Sequence, residues 1–307
     1  MTQPSVNVEV AGWHRKVLAA AAVFIVLLVA MGGVLCVTQS IRACPDWPGC
    51  FGKLFPPLET SPIVEFTHRF LAFISAGLIL VAAIAGLVRA RRQPWILFPP
   101  LVAIVLLIAA SYFGAEVVLH GITPVESVVD VGSALLATAL IVAAAVIAQT
   151  LADRPGLAVR LSFRTPQDWL VLATVCLVYV IFASGVLVAG KNSITGCVGW
   201  PVYSPQVFQE DSLGAGNLLR LVLSVIGIFM IASMLVQTWR RRMKRPEVFR
   251  TARWVMGFFL LEAILQILLL IFGFKVAILI PYTVTGAFFW GALVALAVRV
   301  GLEKTDD

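Results

Sequence analysis

Charge is scarce in this chain. Only 13% of its 307 residues are Asp, Glu, Lys or Arg, while 60% are hydrophobic and the mean hydropathy is +0.98. A water-facing exterior cannot be covered at that level, which excludes a soluble globular domain. Histidine is scarcer still: His14, His68 and His120 are the only three, and none follows residue 120. Any site built on paired imidazoles in the second half is therefore excluded for this chain alone. Five cysteines are present. Cys44 and Cys50, with no histidine or further cysteine beside them, cannot close a tetrahedral zinc site. The first apolar run lacks a small-residue cleavage site and is too long for a removed signal peptide.

What is there is apolar length. Runs of about 20 residues, enough to span a bilayer as helix, recur near 17–38, 63–88, 95–119, 125–149, 168–189, 213–238, 254–273 and 276–298. These predict an all-α integral membrane protein with eight transmembrane helices. The net charge of +7 is distributed along the chain as a membrane topology requires, not as a nucleic-acid footprint. With the N-terminus in the cytoplasm, the inside segments carry Arg15, Lys16, Arg89, Arg91, Arg92, Arg154, Arg160, Arg164, the cluster from Arg240 to Arg253, Arg299 and Lys304. The outside loops hold Arg42, Lys53, Lys191 and Lys275. This asymmetry predicts both termini cytoplasmic and a multi-pass place in the plasma membrane. The run "RRRMKRPEVFRTAR" reads as a stop-transfer segment and a patch for anionic lipid.

The halves resemble each other at a spacing of about 152 residues, "GVLCVTQSIRACPDWP" (33–48) matching "GVLVAGKNSITGCVGWP" (185–201) with one residue inserted. Two tandem four-helix bundles in parallel repeat are expected, over residues 1–151 and 168–307, joined by a Pro- and Arg-rich cytoplasmic linker at 152–167.

Cys44 and Cys50 bracket two prolines in the first outside loop, where an oxidising compartment favours a disulfide, either rigidifying or redox-active. In the second half Cys197 stands alone, with Tyr203 where a partner would be expected. Cys36 and Cys176 fall within helices and read as small packing residues. Each ionisable residue inside a span costs roughly 2.5–3.5 kcal/mol at the span centre and is a site hypothesis. Glu65 and His68, three apart, share a helical face, with Arg69 adjacent. An imidazole held by a neighbouring carboxylate suits a heme iron, and an arginine suits a heme propionate. The alternative is a hydrogen-bonded cluster that only joins helices. Asp130, at the same outer depth, is expected to pair with His68, Arg69 or Arg220. Glu116 and Glu262 would line the bundle interiors. His120 reads as interfacial or as an alternative ligand, and His14 as a surface residue.

Eight spans, "CPDWPGCFGKLFPP" in the first outer loop and "EFTHR" opening the second helix resemble heme A synthase over essentially the whole chain. That family oxidises the C8 methyl of heme O to a formyl group, making heme A for cytochrome c oxidase. The resemblance implies a substrate heme (heme O, becoming heme A) in the first half and a heme b in the second, each between two histidines. It implies a catalytic role for Glu65, heme contacts from His68 (the iron ligand) and Arg69, and a requirement for Cys44 and Cys50. This chain departs from the pattern elsewhere. Asp130 stands where the fourth helix should offer its histidine, Leu219-Arg220 replaces His-Arg in the sixth, and Tyr282 or Thr283 occupies the eighth. Tyr282 is an alternative iron ligand, since tyrosine binds ferric heme in catalase. A bundle repacked without heme is the plainer expectation for the second half.

Three function classes follow. The first is heme A biosynthesis by oxidation of heme O, with the heme O synthase and oxidase assembly factors as partners. The second is a catalytically silent heme-binding or oxidase-assembly protein, and the third a small-molecule transporter. Against the third, helices broken by Gly or Pro at mid-membrane depth are not evident. A partner chain or a second copy could supply missing ligands.

Overall fold

The computed structural model describes residues 10–91, 93–121, 123–154, 161–187, 197, 200 and 214–302. Arg92, Arg160, Lys191, Tyr203, Lys304 and most of the 185–201 repeat segment lie outside the described residues. Eight long helices run among those described: α1 Gly12–Val37, α2 Thr60–Arg89, α3 Pro94–Leu119, α4 Pro124–Asp153, α5 Pro166–Ala183, α6 Gly214–Arg240, α7 Pro246–Phe272 and α8 Val276–Gly301. All eight are long and apolar enough to cross a membrane, so the chain is a multi-pass membrane protein. A 3-10 turn, Ser184–Leu187, extends α5.

Local chemistry sets the helix starts. Proline opens α3, α4, α5 and α7, where its missing N–H is no loss and its fixed φ is already helical. Thr123 with Glu126, and Thr165 with Asp168, form reciprocal capping boxes at α4 and α5. Gly273, at φ 78°, turns the chain sharply from α7 towards α8. The basic stretch after Arg245 is helical, so α7 begins at Pro246 rather than near 254: charge ends a hydropathy run but does not end a helix.

α1 touches α2 and α4, and α3 touches the same two, so the first four helices close a ring. α5 to α8 close a second ring in the same way, through α5–α6, α6–α7, α7–α8 and α5–α8. The rings meet along α1, α4, α5 and α8, and one apolar core runs across the seam. α4 and α8 are the most enclosed helices, with 56% of their apolar windows buried against 22% in α7. Lipid offers no hydrophobic drive between helices, so the seam depends on close backbone approach and hydrogen bonds. A Cβ on Gly33 would stand 2.7 Å from Thr283 Cβ, and one on Gly291 would stand 3.1 Å from Val26. The fully buried Trp290 donates its Nε1–H to the Leu135 carbonyl at 3.0 Å, and Tyr179 donates its hydroxyl to Gly132 O at 3.2 Å. Each such bond contributes about 0.6 kcal/mol in a membrane.

Three expectations are corrected here. His14 is not a surface residue: α1 starts before it, it is 1% exposed, and its Nε2 bonds the Ala82 carbonyl on α2 at 3.1 Å. Cys36 is not a packing residue but one half of a disulfide with Cys197, at a Cα–Cα distance of 5.7 Å. The end of α1 is thereby tied to the segment ahead of α6. Cys176 is a free thiol on the exposed side of α5; with spans facing lipid, apolar residues need no interior place.

Candidate functional site

The loop between α1 and α2 is closed by the Cys44–Cys50 disulfide, both cysteines fully buried. Inside that ring Asp46 accepts the N–H groups of Phe51 and Gly52, and Cys50 pairs with Lys53 as a short antiparallel bridge. The bond from Gly52 above all, with that from Phe51 and the nearby Arg69 charge, holds the Asp46 carboxyl below the usual aspartate value.

The loop is bolted to α2 by two residues of the EFTHR segment. Arg69 donates from Nη1 to the carbonyls of Asp46 at 2.8 Å, Pro48 at 3.3 Å and Gly49, and from Nη2 to Glu65. The other oxygen of Glu65 accepts the Cys44 N–H at 2.7 Å. Glu65 is 3% exposed, so this pair sits in a dry setting where its hydrogen bonds count most. Glu65 therefore does not hold His68, although the two share a face. The loop arrives over the carboxylate and, with the i+4 arginine, takes both of its oxygens.

His68 points elsewhere. Its Nδ1 is buried with no hydrogen-bond partner among the described residues, and its ring lies against Gly32 of α1, where a Cβ would stand 3.5 Å from Cε1. An imidazole nitrogen left unsatisfied inside a helix ring is costly unless a ligand uses the ring.

The remaining candidates are scattered. Among the described residues no hydrogen bond or ion pair reaches Asp130, so its expected pairing with His68, Arg69 or Arg220 is not seen. Arg220 is buried in the second ring and donates to the Ile181 carbonyl at 3.0 Å. Leu219 is 58% exposed and faces outward. Glu116 does not line the first ring's interior: it pairs with the exposed His120 at 2.8 Å at the C-terminal end of α3. Glu262 is buried on α7 with neither carboxylate oxygen in bonding geometry, its neighbour being the Tyr282 hydroxyl. That hydroxyl donates to the Trp200 carbonyl.

Tested against a porphyrin, the two halves differ. His68 offers a buried ring nitrogen with no competing partner among the described residues, a donor that would suit a heme iron. In the second half Tyr282 has its proton engaged by Trp200, Leu219 is turned away, and no imidazole exists. That half does not fit a heme b. Sequence reasoning missed Gly32 as the wall behind His68 and the Cys36–Cys197 link. The first has a signal, a glycine pair in an apolar helix; the second has none beyond an odd cysteine count.

A profile of the cytochrome oxidase assembly protein family matches residues 15–294. Heme A synthase of Alkalihalophilus pseudofirmus is 24% identical over 274 residues, covering 87% of this chain and 86% of that protein. Heme A synthase of Shouchella clausii is 25% identical over 222 residues, 67% and 72% of the two chains, and that of an Exiguobacterium species 26% identical over 190 residues, 61% of each.

Proposed function

The chain belongs to the cytochrome oxidase assembly protein family, and from that premise we propose that it serves heme A biosynthesis by taking heme O in its first helix ring, with His68 as iron ligand, for oxidation of the methyl group to formyl. The observation that carries this reading is the His68 ring, buried in part, unpartnered at Nδ1 and backed by a glycine. Heme O enters as substrate, and its iron supplies the redox-active centre when bound. The chain's own residues do the positioning. Glu65 and Arg69 fasten the disulfide-closed loop onto the outer end of α2, which fixes the turn of helix that carries His68. The working partners are the heme O synthase that makes the substrate and the assembly factors of the oxidase that takes the product, in the plasma membrane.

A second reading is favoured by one specific observation. The second ring has Tyr282 bonded to Trp200 and no imidazole, so it offers no histidine pair to hold a heme through which electrons taken from the methyl group would leave. On that reading the chain holds heme for oxidase assembly without oxidising it.

The test is co-expression with a heme O synthase, purification, and chromatography of the extracted hemes. Heme A supports oxidation, bound heme O without conversion supports the holding role, and a heme-free protein defeats both. His68→Ala is expected to remove the bound heme and its absorption band; an unchanged spectrum would show that another residue is the ligand.

A further inference from the structure

At the end of the molecule away from the Cys44–Cys50 loop, α4 and α8 finish beside the turn that joins α6 to α7. A cavity of about 140 Å³ opens there. Its charged lining comes from four places in the chain: Arg154 after α4, Lys244 and Arg245 in the turn, Glu247 in the first turn of α7, and Arg299 in the last turn of α8. Glu247 serves two of the cations, with Oε1 at 2.8 Å from Arg154 Nη2 and Oε2 at 3.8 Å from Arg299 Nη1. Lys244 and Arg245 have no acidic partner among the described residues. Four cations thus share one carboxylate around a single concavity, and the Arg299 side chain is only 20% exposed. Like charges gathered at partial depth repel unless an anion joins them.

The surroundings say at what depth this happens. Trp239 and Phe249 meet edge to face at 5.4 Å, Arg242 lies 5.2 Å over the Trp239 ring, and Arg253 lies 5.8 Å over Phe249. Trp254, one turn on, is 65% exposed. Tryptophan and arginine stacked at helix ends form the belt that sits among lipid headgroups. The cavity has room for several waters, and so for a phosphate and its oxygens.

We propose that this cavity is a binding site for the phosphate of an anionic phospholipid, read by Arg154, Lys244, Arg245 and Arg299. Basic pockets between transmembrane helices take such headgroups. The site is independent of any heme: it draws on charged residues from 154 to 299 and clamps the ends of α4 and α8, which lie at the seam, to the start of α7. Free inorganic phosphate shares the chemistry, and the experiment separates the two sources.

The full-length protein in a neutral detergent is heated with added short-chain phosphatidylglycerol, phosphatidylcholine or inorganic phosphate, and unfolding is followed by tryptophan fluorescence. Phosphatidylglycerol is expected to raise the Tm, with phosphatidylcholine inert and inorganic phosphate weaker at equal concentration. Lys244→Gln with Arg245→Gln removes two cations outside both ion pairs. It should raise the lipid concentration for half effect about 25-fold, roughly fivefold per cation at low salt. Glu247→Gln removes the competing carboxylate and should lower that concentration, a gain that misfolding cannot imitate. An equal rise with phosphatidylcholine, or half-effect concentrations unmoved in both variants, overturns the site. Inorganic phosphate as effective as phosphatidylglycerol overturns the lipid assignment.

Discussion

Glu65 accepts from a backbone N–H and a guanidinium at once, which makes it the residue on which the loop between α1 and α2 most depends. Glu65→Ala would leave the buried Cys44 N–H without an acceptor and Arg69 without its counter-charge. The expected loss is about 3 kcal/mol, measured as a lower midpoint in a denaturant titration of the micellar protein. The Cys44–Cys50 bond should also become easier to reduce with dithiothreitol. Thr67→Ala, whose exposed hydroxyl bonds only its own helix at Ile63 O, is the matched control and should change neither quantity. An unaltered reduction rate in Glu65→Ala would show that the loop holds without the bolt. At this scale the sequence was half legible. It placed a carboxylate, an imidazole and a guanidinium on one turn, but it could not say which neighbour Glu65 would choose. Spacing of three favours His68 and spacing of four favours Arg69, and the deciding partner, Cys44, arrives from 21 residues away. His14 was misjudged for a related reason, because a polar residue near a chain end looks solvated until the helix around it is known to start earlier.

Gly32 and Gly33, neighbours in α1, point to different helices because successive residues turn by about 100°. Gly33 lets α8 approach, its missing Cβ leaving room for Thr283, while Gly32 leaves room for the His68 ring. Gly33→Val should therefore force α1 and α8 apart and destabilise by about 1–3 kcal/mol. Gly32→Leu should instead crowd the imidazole and abolish heme retention with the unfolding midpoint nearly unchanged. Heme retained by Gly32→Leu would mean that this face of His68 is not the one the ligand needs. Helices themselves were the most readable feature, since hydropathy gave all eight. The start of α7 was hidden because the charges after Arg245 end the apolar window while costing the helix nothing. Close approach at single glycines is invisible in a sequence, because an apolar helix is rich in small residues and only the neighbour says which one matters.

Composition made the whole molecule legible as a membrane bundle, and the family resemblance added the expectation of a heme site in its first half and a second half short of ligands. How the rings are joined was not readable. Cys36 sits in an apolar run that reads as packing, and its partner lies 161 residues on, so no local pattern links them. That separation has a consequence for how the protein is made. At about 5–20 residues per second, Cys36 waits roughly 8 to 30 s for Cys197 to be synthesised. Throughout that interval it lies close in sequence to Cys44 and Cys50, which emerge just behind it with thiols of their own. Crossed pairing among the three is then a hazard of biogenesis, avoided only if the loop pair closes first or if a thiol–disulfide isomerase later sorts them. A Cys197→Ser chain keeps the hazard and removes its resolution, so we expect peptides joining Cys36 to Cys44 or Cys50 in a non-reducing digest. Finding the Cys44–Cys50 link alone would mean that the nascent loop sorts itself.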